Sequence, residues 1–307
     1  MAVYWGEKRY HSLDYYLKNT YGEKLYKIAL DAGMTCPNRD GTLGTRGCIF
    51  CSEGGSGDFA SDRRLTITQQ IESGKMRTAG KYAGSSYIAY FQAYTNTYAP
   101  IPYMRRIFTE AALHPDIRVV SIATRPDCLN PDTVTLLADI NRIKPVWVEL
   151  GLQTIHEKTA SFIGRGYALP VFDAAVSMLK DAQIDIIVHT ILVLPGEDLS
   201  MMLKTMHYLN DACIQGVKLQ LLHVLKGTAL AEVYEDHPFW IPSMEEYFYL
   251  LGRCIGSLSP DTVIHRLTGD GPRQLLIAPG WTVNKRLVLN QMHAYLKAQD
   301  IWQGKEL

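Results

Sequence analysis

Residues Cys36 to Cys51 read CPNRDGTLGTRGCIFC, three cysteines on one glycine-broken loop that follows directly on an apolar, strand-like run from Leu25 to Leu30. Only Ile49 and Phe50 separate Cys48 from Cys51, whereas eleven residues separate Cys36 from Cys48. Three thiolates on one loop suggest an iron–sulfur cluster. A cubane cluster takes four ligands, so three from the protein leave one iron open to a substrate or cofactor, as an open metal position does in catalysis generally. Two other readings compete. Tetrahedral zinc needs a fourth nearby Cys or His, and the nearest candidates in sequence are His11 and Cys128. A disulfide suits a small secreted chain, but this one is 307 residues long and opens without a signal peptide.

Outward from the loop, strand-like and helix-like runs alternate. The runs Leu25 to Leu30, Ser86 to Gln92, Ile117 to Ala123, Pro145 to Leu150, Ile184 to Val193 and Val217 to Leu222 are rich in Val, Ile, Leu or Tyr. Between them Ile67 to Lys81, Met104 to Leu113, Val134 to Ile143, Val171 to Ala182 and Leu199 to Cys213 carry apolar residues three or four apart, and Pro131 before Asp132 marks a helix start. This alternation predicts parallel βαβ units. Six such units are too few to close a barrel of eight, so the predicted fold is α/β and open, with the cysteine loop at the C-terminal face where (β/α) barrels place their active sites. Beyond Leu222 the pattern changes. Thr228 to Tyr234 and Met244 to Leu258 read as helices, Val263 to Leu267 as a short strand and Arg286 to Ala298 as a closing helix, a tail expected to pack on the barrel mouth. The expected division is an N-terminal extension over 1–20, a core over 21–242 and a C-terminal extension over 243–307, with no internal repeat or low-complexity tract.

Lys plus Arg number 31 and Asp plus Glu number 31, so the overall field does not steer polyanions, and nucleic acid would have to be held by a local patch. Six cysteines, no export signal and no apolar run of membrane-spanning length point to a cytoplasmic chain with no membrane partner. Cys128, Cys213 and Cys254 read as plain buried thiols.

The tight Cys48–Cys51 pair, with Phe50 just before the last thiol, resembles the signature of the radical S-adenosylmethionine (SAM) enzymes, except that eleven residues stand in the first gap where three are usual. An enlarged first gap recurs in the branch resembling the catalytic subunit of Elongator. The loop is joined by YFQAYTNTYAP (Tyr90 to Pro100), VELGLQT (Val148 to Thr154), IGRG (Ile163 to Gly166), HTILVLPGED (His189 to Asp198) and VIHRLTGDGPR (Val263 to Arg273), and together they resemble the YtqA/YhcC family of radical SAM proteins over nearly the whole chain. The resemblance implies an open (β/α)6 partial TIM barrel with a C-terminal α/β extension, a [4Fe–4S] cluster on Cys36, Cys48 and Cys51, and SAM held on the open iron. It implies reductive cleavage of SAM to a 5′-deoxyadenosyl radical that abstracts substrate hydrogen, fed by an electron donor such as flavodoxin or ferredoxin. It points further to the tRNA wobble uridine, where a carboxymethylaminomethyl group at C5 would become aminomethyl.

By the same resemblance Phe50, Gln92, Thr95, Asn96, Glu149, Gln153, Arg165, His189 and Leu194 are candidate SAM contacts. Where the family carries a Gly-Gly-Glu-like stretch against the methionyl amino group, this chain has QAYTNT, and an ordinary strand-to-helix turn is the competing reading. Glu149, among VWVELGL, needs a polar partner; the ribose or amino group is the expected one. Arg165 suits a bidentate pair with the SAM carboxylate, against a plain surface arginine. His189 interrupts an apolar strand on the side of Ile187 and Ile191, so a hydrogen-bonded core histidine competes with a site role. The turn from Leu194 to Glu197 resembles the adenine-binding region. His223, ending the sixth strand beside Lys226, faces substrate or adenine, and His189 and His223 are the candidates for a catalytic role.

From Pro260 to Lys297 the tail carries Arg266, Arg273, Lys285, Arg286 and Lys297 against Asp261 and Asp270, with Trp281 as a stacking surface. Arg266, Arg273, Lys285 and Arg286 are the expected path for RNA phosphates, with a solvated face as the alternative. Three further functions compete with tRNA modification: radical SAM chemistry on a small metabolite or protein, a noncatalytic metal-binding or electron-transfer protein, and an RNA-binding module whose cysteines hold zinc.

Overall fold

The computed structural model describes residues 4–55, 57–80, 84–269 and 271–307. The described chain opens on α1 (Leu13–Tyr21) and continues through β1 (Tyr26–Leu30), α2 (Ile67–Thr78), β2 (Tyr87–Phe91), α3 (Ile101–Leu113), β3 (Ile117–Thr124), α4 (Pro131–Asn141) and β4 (Val146–Gln153). It goes on through α5 (Glu157–Phe162), α6 (Leu169–Asp181), β5 (Asp185–Leu192), α7 (Leu199–Asp211), β6 (Gly216–Leu221), β7 (Val224–Leu225) and α8 (Ala229–Asp236). The tail supplies α9 (Met244–Gly256), β8 (Val263–Arg266), β9 (Leu276–Ala278) and α10 (Lys285–Ala298). Lys81, where the second helix was expected to end, and Asp270 lie outside the described residues.

Seven parallel strands pair in the order β1-β2-β3-β4-β5-β6-β8, a curled half-barrel in which helices cover the outer face. Alternation along each strand separates two faces. Outward side chains such as Ile28, Phe91, Val120, Val148, Ile186 and Leu219 pack against the helices in one large core. Helix starts follow ordinary capping chemistry: Thr66 and Gln69 form a capping box on α2, and Asn130 Oδ1 accepts from Thr133 N ahead of Pro131 on α4.

Inward, the lower end of the barrel is plugged. Leu17 of α1 packs with Leu25, Ile88, Val119, Trp147 and Ile187. That helix was not read from the sequence, although Ser12 caps its start and Gly22, at φ 75°, closes it.

The tail differs from expectation. β8 does not sit on the mouth; it pairs in parallel with β6 at Gly216↔Val263 and becomes the seventh strand, with α9 beside α7 in the outer layer. Val263 and Ile264 are buried, as a strand of a parallel sheet covered on both faces requires even at the sheet's edge. The tail segments that do reach the C-terminal end of the barrel are the β7–β9 hairpin, paired at Val224↔Ala278, and Gly269 and Gly271. The sheet therefore crosses the expected boundary at residue 242.

Candidate functional site

Cys36, Cys48 and Cys51 line one cleft at the C-terminal end of the strands. The loop is tied down by its own backbone: Arg39 N donates to Cys36 O at 2.8 Å, Gly47 N to Asn38 O at 2.8 Å and Cys51 N to Cys48 O at 3.0 Å. Gly47 sits at φ 80°, a backbone conformation that strains any L side chain, and a Cβ there would also push on the Arg39 guanidinium, 2.8 Å away at Nε. Asn38 Nδ2 donates to Cys48 Sγ at 3.3 Å and to Gly164 O at 2.8 Å, joining the loop to the IGRG segment. The hydrogen bond from Cys51 lowers the Cys48 thiol to about 7 against the opposing effect of burial, with Arg125 assisting, while Cys51 is pushed well above its usual value.

The strand ends supply the rest of the cleft. Gln92, Thr95 and Gln153 line it, as do Tyr90, Thr124, Arg125 and Tyr167. Gln153 sits in the left-handed region at φ 66°, where β4 breaks register after Gly151, and its side chain passes close over that glycine: a Cβ at Gly151 would lie 2.9 Å from Gln153 Nε2. A non-glycine residue held at positive φ beside a cleft is the kind of strain that functional sites retain. Phe50 and His189 line this cleft and two neighbouring cavities, so the three spaces are contiguous. His223 lines the third, with Gly269 and Gly271.

Two expected ligand contacts, Asn96 and Arg165, have protein partners. Asn96 is fully buried and its Nδ2 donates to the carbonyls of Phe91, Ala93 and Ala123, fixing the turn after β2. Arg165, also buried, donates through Nε to Tyr167 O at 2.9 Å, through Nη1 to Thr154 O at 2.7 Å and through Nη2 to Glu157 Oε1 at 3.0 Å. Leu194 packs in an apolar cluster with Ile163, Ile191 and Leu222, against which Ile49 and Phe50 rest. Arg165 still borders the cleft, yet its fork is spent on protein acceptors.

Between the apolar plug and the cleft lies a charged layer. The Glu149 carboxylate has no exposed surface. Oε1 accepts from Lys27 Nζ at 2.9 Å and Ser121 Oγ at 2.7 Å; Oε2 accepts from His189 Nε2 at 2.6 Å and from Lys218 Nζ. Lys218 also donates to Tyr90 Oη at 3.0 Å and lies over that ring, as Lys27 does. A direct bond from Glu149 to ribose would have to displace one of these donors. Burial alone would raise the Glu149 carboxyl, but Lys218 and then Lys27 and His189 hold it well below the usual carboxylate range. Burial and Lys218 lower His189 to about 4 despite Glu149, so the imidazole is neutral near pH 7 with Nε2–H on the carboxylate and Nδ1 left as an acceptor. The sequence held a signal for Lys27 and Lys218 that went unused: each is a charge inside an apolar strand, the same feature that singled out Glu149.

The comparisons with known proteins agree with this geometry. The profile of the Radical SAM superfamily matches residues 41–209, and that of the Radical_SAM C-terminal domain matches 214–298. The chain belongs to the radical SAM superfamily. It is 44% identical to Bacillus subtilis YtqA over 299 residues, 97% of this chain and 93% of that one, and 32% identical to Escherichia coli K12 YhcC, covering 95% and 93%. Among solved structures, that of the archaeal Methanocaldococcus infernus Elp3 shares the fold, with a TM-score of 0.69 and 16% identity over 91% of this chain and 64% of that one. As a radical SAM enzyme it uses a [4Fe–4S] cluster and SAM. Three cysteines on one wall of the cleft, with an amide donor on the Cys48 sulfur, fit a cluster that keeps one iron open.

The remaining residues fall outside the cleft. Arg273, Lys285 and Arg286 are exposed, whereas Arg266 lines an interior cavity. Trp281 is half-buried against Tyr247, with its indole N–H on Pro242 O at 3.0 Å, and so is not a free stacking surface. Cys254 is buried as expected, but Cys128 is partly exposed and Cys213 exposed. Among the described residues no helix is long and apolar enough to cross a membrane.

Proposed function

We propose that this radical SAM enzyme acts on the wobble uridine of tRNA, converting a carboxymethylaminomethyl side chain at C5 to aminomethyl: hydrogen and a further electron leave the carbon between nitrogen and carboxylate, water adds there, and the C–N bond breaks to release glyoxylate, the two electrons going to SAM as it becomes methionine and 5′-deoxyadenosine, with the priming electron drawn from a flavodoxin- or ferredoxin-type donor. The observation that carries the reading is the shape of the site: a cofactor cleft that opens onto two neighbouring cavities, with exposed Phe59 on the wall of one and Gly271, two residues before exposed Arg273, on the wall of the other. A flipped-out base can stack at such a mouth while its substituent reaches inward.

When bound, the cluster and SAM supply a carbon radical that takes hydrogen from the substrate. The chain's own residues do the rest. Cys36, Cys48 and Cys51 hold the cluster, and Asn38 steadies the Cys48 sulfur. Gln92, Thr95 and Gln153 offer amide and hydroxyl groups along the cleft for the polar parts of SAM, and Phe50 and Ile191 give its flatter parts an apolar surface. The rigid strand ends keep these groups in register, which is where orientation lowers a barrier.

The test is nucleoside analysis of tRNA from cells lacking this protein. The carboxymethylaminomethyl nucleoside should accumulate and the aminomethyl one disappear, the wild-type gene should reverse this, and Cys48→Ala should not. An unchanged nucleoside profile would remove the tRNA reading and leave the superfamily assignment in place.

A further inference from the structure

Among the described residues three arginines line the cleft with the cysteines, and they are held in different ways. Arg39 gives Nη2 to Cys51 O and Ser52 O, which shapes the loop, and Arg165 spends its fork on Tyr167, Thr154 and Glu157. Arg125, 9% exposed just beyond β3, makes no hydrogen bond to the cysteine loop among the described residues. Its partner is Asp127, which accepts from Nε at 2.9 Å through Oδ1 and from Nη2 at 2.7 Å through Oδ2. A Cβ at Gly166 would lie 3.2 Å from Arg125 Nη2 and 2.9 Å from Asn38 Oδ1, so the guanidinium is near the amide that donates to Cys48 Sγ. Burial alone would lower the guanidinium, but Asp127 and then Cys36 and Cys48 raise it, and it stays charged at any working pH.

This ion pair is polarised across the wall of the cleft. Arg125 lines the cleft, whereas Asp127 is the more exposed partner and lines a separate surface cavity with Pro100 and Asn130. Water screens the outer carboxylate more than the inner guanidinium, so on the cysteine side the field of the cation prevails. Three thiolates make a cubane cluster anionic, and an electron added to it deepens that charge. Net charge and the polar surroundings set the potential of such a cluster, and a fixed cation beside it favours the reduced form.

We infer that Arg125 is a positioning residue for electron uptake: Asp127 holds its guanidinium beside the cysteine loop, where the positive charge raises the reduction potential of the cluster. The step is the transfer of one electron to the cluster from a reduced donor of the flavodoxin or ferredoxin class, which is itself oxidised by one electron; no proton moves and no bond is made or broken. Arg125 touches neither donor nor substrate and acts on the equilibrium through its charge. The inference needs the superfamily assignment alone and is independent of the RNA substrate.

The experiment is an anaerobic redox titration of the reconstituted full chain without SAM, with the reduced cluster read by electron paramagnetic resonance. Arg125→Gln should move the midpoint to more negative values, the equilibrium constant for electron uptake falling roughly 10- to 30-fold, at about 59 mV for each tenfold in a one-electron couple. Arg125→Lys keeps the charge and should recover most of that shift. Asp127→Asn keeps an acceptor for the fork while removing the opposing charge, so its midpoint should move the other way. An unchanged midpoint in Arg125→Gln would overturn the inference. Shifts of the same sign in Arg125→Gln and Asp127→Asn would overturn it too, since the pair would then act through the shape of the loop. If Arg125→Gln fails to take up iron and sulfide, Asp127→Asn decides: a midpoint that rises supports the inference, and one that falls or stays overturns it. Calorimetry with SAM is the second readout. Affinity in Arg125→Gln should stay close to wild type; a loss of affinity with the midpoint unmoved would make Arg125 a contact of the SAM carboxylate and sink the electron-uptake role.

Discussion

Arg165 shows how far residue type alone can carry an argument. A buried arginine beside a cofactor cleft invites an anionic ligand, but its Nε, Nη1 and Nη2 each already hold a protein acceptor, and the guanidinium lies over the Tyr167 ring at 4.7 Å. Lysine carries the same charge on one point and cannot reach Tyr167 O, Thr154 O and Glu157 together. Arg165→Lys should therefore destabilise the fold on the order of 2 kcal/mol in urea unfolding, because buried carbonyls lose donors. An unchanged midpoint with weakened SAM binding would restore the ligand role. The cysteines were legible for the opposite reason: thiols three residues apart on a glycine-rich loop are specific without any knowledge of neighbours, whereas an arginine's partners exist only in the folded chain.

At the scale of elements, the six barrel strands could be read because each is an apolar run bounded by turns, and what each strand presents inward depends on register. The charged layer is the clearest case. Lys27 and Glu149 are 122 residues apart and Lys218 and Glu149 are 69 apart, separations that no local pattern connects. Parallel pairing across β4, β5 and β6 sets Glu149 beside Ile187 and His189 beside Lys218, and the curl of the sheet brings β1 round to complete the set. Glu149→Gln leaves Lys218, nearly without exposed surface, next to a neutral amide. Breaking a buried pair this way costs about 3–5 kcal/mol. The double variant with Lys218→Met should recover at least half of that, since it removes the stranded charge with a side chain of similar length. A double variant no more stable than Glu149→Gln would show that Lys218 is not what the carboxylate neutralises. The seventh strand was legible as a strand but not as a member of the barrel sheet, for the same reason: Val263–Arg266 is short, and nothing local announces its partner 47 residues earlier, at Gly216.

For the whole molecule, a net charge of zero means that any hold on a polyanion has to be local. The tail divides its cations between two environments. Arg266 turns into the barrel, while Arg273 and the first residues of α10, Lys285 and Arg286, stay exposed. The first turn of α10 carries no acidic residue to offset them. If these three lie along RNA phosphates, the combined variant Arg273→Ser, Lys285→Ser and Arg286→Ser should weaken tRNA binding and flatten its salt dependence, the slope falling by roughly 0.7 to 0.9 for each phosphate no longer neutralised. Melting temperature should hold, because all three side chains are exposed and none belongs to the packed core. Filter binding across a salt series reads the slope directly. An unaltered slope would make the patch an ordinary solvated face, and a slope that survives together with a lowered melting temperature would make it a brace for the β7–β9 hairpin.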